Sequence, residues 1–130
     1  MPVPNHDFSM CPRFESATEL LGKRWSTLVI YVLMDGARRF SEIAEAMPAL
    51  SERMLSERLK ELEAEAILQR AVQPGPPVRV EYTLTEKGRA LSGVLEEIGR
   101  WAEKWVDVPG AKHAPHSLEL KPARARKRSA

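Results

Sequence analysis

The sequence predicts a mainly α-helical domain with one small β-hairpin, and three observations lead there. Residues 40–88 read in order as helix, tight turn, helix, strand, turn, strand and helix start. The β-rich runs 67–72 and 78–84 flank Gln73-Pro74-Gly75-Pro76-Pro77, whose prolines cannot donate to a sheet ladder and so belong in a hairpin tip. Beyond them a helical stretch continues to about residue 106 with an apolar stripe on one side. A two-helix unit alone is common. One followed at once by a proline-tipped hairpin is much rarer, and that order predicts a winged helix-turn-helix, which sets one helix in the major groove of DNA.

The 130 residues suffice for one domain, expected over residues 11–106, with a flexible arm at 1–10 and a disordered basic tail at 107–130. No apolar run approaches the roughly 18 residues a membrane span needs. The N-terminus lacks a basic start followed by an apolar segment, and a single cysteine excludes an internal disulfide. These features predict a cytoplasmic protein with no membrane partner. Net charge is only +2, but six basic residues against Glu119 put +5 on residues 112–130, leaving −3 for the rest. A DNA-binding face on the body is therefore a local basic patch on an acidic particle, and the tail adds salt-sensitive, non-specific DNA affinity.

A first helix is expected over residues 15–21 with Ala17, Leu20 and Leu21 inward, ended by Gly22. Trp25, Leu28, Val29, Val32 and Leu33 recur at helical spacing and predict a second helix, closed by Asp35-Gly36. Ser41 is expected to cap a third helix through about Met47, with Phe40 as a hydrophobic staple. Pro48 stops it, Ala49 stands in the turn where glycine is usual, and Ser51 caps a fourth helix over 52–64. Val78, Val80, Tyr82 and Leu84 alternate with Arg79, Glu81 and Thr83, a half-buried strand. Thr85 caps a last helix expected to run unbroken to about Val106. Its stripe includes Val94, Ile98, Trp101 and Trp105, an apolar surplus that a second subunit would cover.

The fourth helix carries the candidate site. Leu55, Leu59 and Leu62 define its buried stripe, and the opposite face then holds Arg53, Ser56, Glu57 and Lys60, beginning in the first turn, where base edges are read. Glu57 fits a cytosine amine as an acceptor. The plain alternative is a solvated helix face. Arg38, Arg39, Ser51, Arg58 and Arg79 form a phosphate set around it. Arg58 has a second reading, pairing with Glu61 or Glu81, and Arg38-Arg39 equally suits a solubilising loop pair.

Cys11 precedes a helix start and lies close to Arg13, surroundings in which a cysteine becomes reactive. The alternative is an inert small side chain. His6, His113 and His116 fall in the arms without a Cys/His cluster, so no metal site and no cofactor are expected. No phosphate loop and no nucleophile–base constellation appears, so an enzyme is not expected.

Cys11-Pro12, Gly22-Lys23-Arg24-Trp25, Leu33-Met34-Asp35-Gly36, Arg38-Arg39-Phe40-Ser41-Glu42-Ile43, SERMLSERLKEL (51–62) and VEYTLTEKG (80–88) occur in this order. Over residues 11–105 the chain resembles the HxlR family of bacterial winged helix-turn-helix regulators. The resemblance implies a homodimeric transcription factor on a palindromic operator, dimerised through its N-terminal and last helices. It implies that a cysteine at the position of Cys11 senses quinones, aldehydes or oxidants in some members. The family usually has glycine where this chain has Ala66; an alanine there either takes a positive φ, at about 1 kcal/mol, or the helix end relaxes. The expected function is a DNA-binding regulator, a repressor, with thiol sensing as one signal. The alternatives are a small-molecule-responsive regulator and a winged-helix protein-interaction module.

Overall fold

The computed structural model describes residues 10–110; the rest of the expected arm and basic tail, with all three histidines, lies outside the described residues. The order is α1 (Pro12–Gly22), α2 (Arg24–Leu33), β1 (Arg38–Arg39), α3 (Phe40–Ala46), α4 (Glu52–Ala64), β2 (Leu68–Gln73), β3 (Arg79–Leu84), α5 (Glu86–Arg89) and α6 (Ser92–Trp105). The strands form one antiparallel sheet in the order β1-β3-β2. Val29, Ile30 and Leu33 of α2, Ile43 of α3 and Leu55, Leu59 and Leu62 of α4 build the core with Ile67, Leu68 and Leu84 at the root of the hairpin. Each of these large side chains stabilises by about 2 kcal/mol on burial.

Several elements depart from expectation. The first helix starts at Pro12, since proline suits a first helical turn with no N–H to satisfy, and it buries no residue: Ala17 is exposed, Leu20 and Leu21 half-buried. The second helix is rotated slightly, burying Ser26 and Ile30 and exposing Leu28. Ser41 is not a cap. The chain passes from β1 straight into α3, so Arg39 is the N-cap, and the Glu42 carboxylate accepts its backbone N–H at 2.9 Å. Glu81 does not face water. β3 is the middle strand, pairing Glu81 with Arg39 on one side and Ala71 on the other, and only 8% of the residue stays exposed.

The last helix is broken. Thr85 does cap it, its hydroxyl accepting the Gly88 N–H at 3.1 Å, but α5 ends at Arg89. At Leu91 the backbone bond is to Gly88, three residues back, and the helix resumes at Ser92. The shortened bond marks the interruption.

The end of α4 settles the question at Ala66. Ile67 N–H bonds to the Leu62 carbonyl at 2.9 Å and Ala66 N–H to that of Glu63 at 3.0 Å, the two bonds of a Schellman motif. That motif needs a left-handed residue, and Ala66 takes it, at φ 60°. The helix end does not relax. Thr85 then locks the corner: its N–H bonds to the Ile67 carbonyl at 3.0 Å, and its hydroxyl lies 2.6 Å from the Ala66 carbonyl. Lys87 Nζ donates to the Glu65 carbonyl at 2.8 Å. Gly88 packs so closely that a Cβ there would sit 2.2 Å from the Ile67 carbonyl oxygen.

Two substitutions at this corner act with opposite sign. Gly88→Ala destabilises by about 3 kcal/mol, because backbone rather than a flexible side chain must move. Ala66→Gly stabilises by up to about 1 kcal/mol by relieving the positive φ. Urea unfolding at one fixed protein concentration measures both, and a neutral Gly88→Ala would contradict the close approach.

Candidate nucleic-acid interface

The interface begins with how α4 is held. The Ser51 hydroxyl accepts the Met54 N–H at 3.1 Å and fixes the start of the helix, as its N-cap position predicts. Leu55, Leu59 and Leu62, each 1% exposed, seat its inner face. Arg53, Glu57 and Lys60 are consequently exposed on the outer face, with Ser56 half-buried at its edge. The sequence-predicted base-reading residues thus share one outward surface.

That surface is laced with charge. Arg53, 90% exposed, has Nε 3.7 Å from Glu57 Oε1. The other Glu57 oxygen lies 3.8 Å from Arg58, and Arg58 Nη1 bonds Glu61 Oε1 at 2.7 Å. Arg58 is only 24% exposed and is paired with both Glu61 and Glu57. Exposed pairs of this kind contribute under about 1 kcal/mol each, so they orient side chains more than they stabilise the fold.

The phosphate set divides. Ser51 is exposed at the helix start, and Arg39 is half-buried at the start of α3. Arg79 is half-buried and pairs with Gln73 at the base of the tip. Arg38 is not presented outward. β1 pairs it with Tyr82, its side chain is 5% exposed, and Asp35 lies 3.8 Å away. The two-residue strand, absent from the sequence reading, turns it inward. Arg70 was missed. It is exposed on β2 opposite Tyr82, and a basic residue in a β-rich run beside the proline tip was the available signal.

Away from α4, Cys11 is exposed immediately before Pro12, and its carbonyl accepts the Glu15 N–H at 3.0 Å. Val94, Ile98, Trp101 and Trp105 of α6 are all exposed, the two tryptophans at 61% and 65%. Leu95 alone on that helix is buried. Among the described residues no group of three or more His, Cys, Asp or Glu is arranged to hold a metal, and no helix is long and apolar enough to cross a membrane.

Comparison with known proteins agrees with this fold. Residues 20–109 match the HxlR-like helix-turn-helix family. The chain is 56% identical over 102 residues to the HTH-type transcriptional regulator YodB of Bacillus subtilis, covering 78% of this chain and 90% of that protein. The solved reduced form of YodB superposes with a TM-score of 0.69, at 56% identity over 78% of this chain and 99% of that one. Its quinone-bound form gives 0.64, at 54% identity over 73% and 100%. The redox regulator HypR in its oxidized form gives 0.70, at 38% identity over 75% and 100%. The chain belongs to the HxlR-like helix-turn-helix family and is a DNA-binding transcriptional regulator.

Proposed function

We propose that this regulator is a cytoplasmic homodimeric repressor that reads a palindromic operator with α4 and releases it when Cys11 is modified. The observation that carries the reading is the outer face of α4, where Arg53, Ser56, Glu57 and Lys60 stand together beside a proline-tipped wing. Arg53 and Lys60 donate to base edges, Ser56 donates or accepts, and Glu57 accepts. Arg39, Ser51 and Arg79, joined by Arg70, meet phosphates and set the register. No catalytic step is assigned to the chain.

Dimerisation is supported by Val94, Ile98, Trp101 and Trp105, large apolar side chains exposed on one helix of a single chain. A two-fold pair would set two copies of α4 in successive major grooves about 34 Å apart. The signal is supported by the exposed Cys11 at the head of α1 and by the relatives solved in reduced, quinone-bound and oxidized forms. Modifying the thiol displaces α1, tilts the dimer and separates the two reading helices.

A second reading has its own observation. A cleft of about 590 Å³ between α1, the end of α4 and α5 is lined by Leu20, Lys23, Glu61, Glu65, Lys87 and Leu91, among others. A small molecule seated there would act without the thiol.

The operator is obtained by selecting duplexes from a randomised library. On the selected duplex, Arg53→Ala and Lys60→Ala each lower affinity about tenfold or more in a mobility-shift assay. Unchanged binding in both variants would remove α4 from the reading role. A quinone or thiol oxidant releases the parent protein from the same duplex, whereas Cys11→Ser stays bound. Equal release of both proteins would shift the signal to the cleft.

A further inference from the structure

The helix that reads DNA carries more acid than base. Within Glu52–Ala64 stand Arg53, Arg58 and Lys60 against Glu52, Glu57, Glu61 and Glu63, a net charge of −1. A helix entering a polyanionic groove ordinarily gains from the opposite balance. The acid is also placed where it counts. Glu57 is at the centre of the outer face, with its two oxygens 3.7 Å from Arg53 and 3.8 Å from Arg58. Arg58 is further bound at 2.7 Å by Glu61. Of the three cations on the helix, Lys60 alone has no carboxylate within the 4.0 Å reach of an ion pair among the described residues.

We propose that Glu57 is the specificity-determining residue of this helix, and that it works by exclusion. Its carboxylate has acceptors only. It repels phosphates and base edges that present acceptors alone, such as the O6 and N7 of guanine. It gains a hydrogen bond only where the base it faces is the one of the pair that carries the exocyclic amine, cytosine with N4 or adenine with N6, and not guanine or thymine. By holding Arg53 and Arg58 it also keeps two cations from grasping phosphate without regard to sequence. Non-specific affinity is thereby held down and discrimination raised, as repulsive elements do at selective interfaces. The tail and the wing are left to supply the salt-sensitive attraction.

The inference rests on the reading of α4 as the base-contacting helix. The test uses the full chain, the selected duplex and a duplex of the same composition with shuffled sequence. Glu57→Gln keeps the shape and removes the charge. It is expected to bind the shuffled duplex at least about fivefold more tightly, to gain less or lose affinity on the selected duplex, and to relax preference at one base pair per half-site. The salt slope on the shuffled duplex steepens by about one as a freed arginine reaches a phosphate. Glu61→Gln removes the carboxylate bonded to Arg58 at 2.7 Å but leaves Glu57 facing both arginines, and its discrimination ratio stays within about twofold of the parent. An unchanged ratio in Glu57→Gln, or an equal fall in Glu61→Gln, overturns the proposal. Arg53→Ala in the same assay separates the two levels. Full binding by that variant and by Lys60→Ala would remove the base-reading role of α4 itself, and this inference with it.

Discussion

The Ile67 carbonyl is the point through which α4 and the wing are joined. It accepts the Thr85 N–H at 3.0 Å, lies 3.0 Å from the Thr85 hydroxyl, and faces Gly88 at a distance no side chain could share. One backbone oxygen therefore joins the end of α4, the start of β2, the end of β3 and the start of α5. The hydroxyl that closes the corner also caps α5 through the Gly88 N–H, so one residue satisfies groups on two elements. Where this corner is buried, at Ile67 and Gly88, a backbone group left without a partner costs about 1–3 kcal/mol. The angle between α4 and the wing is thus a consequence of backbone chemistry, and the outward side chains inherit it.

The left-handed Ala66 belongs to the same constraint. The Schellman bonds from Ala66 and Ile67 require that conformation, and buried Ile67 lies over buried Leu62 as such motifs favour. Straightening the helix end would save about 1 kcal/mol of steric cost at Ala66 but would withdraw the Ile67 carbonyl from Thr85. The hydrogen bonds and the burial of Ile67 outweigh that cost, which is why the alanine is strained and the helix is not relaxed.

The legibility of the fold in the sequence follows from the length of each signal. α4 was fully readable, since three leucines at helical spacing and a capping serine give both its limits and its faces. The proline tip located the hairpin. β1 has two residues, too few for any period, and with it went the inward turn of Arg38 and the covered position of Glu81. The Arg39 cap depends on Glu42 reaching back, a side-chain contact that competes on equal terms with a serine cap one residue away. The break before Ser92 left no mark in the apolar stripe, because Leu91, Val94, Leu95 and Ile98 keep their helical spacing across it. Composition gave the sign of the body charge, but only geometry revealed which arginines of α4 are already engaged.

That break bears on how a signal at the far side of the molecule would reach the DNA face. α5 is tied to the end of α4 by Thr85 and by Lys87 on the Glu65 carbonyl, and to β3 by Arg89 on the Leu84 carbonyl at 2.7 Å. α6, by contrast, buries only Leu95. An unbroken helix would have passed every tilt of α6 directly to the corner at Ile67. With the ladder interrupted at Leu91, α6 and the corner at Ile67 are not parts of one continuous helical rod. In the proposed dimer, a tilt of α6 would therefore have to move α5 before it reached α4 and the wing.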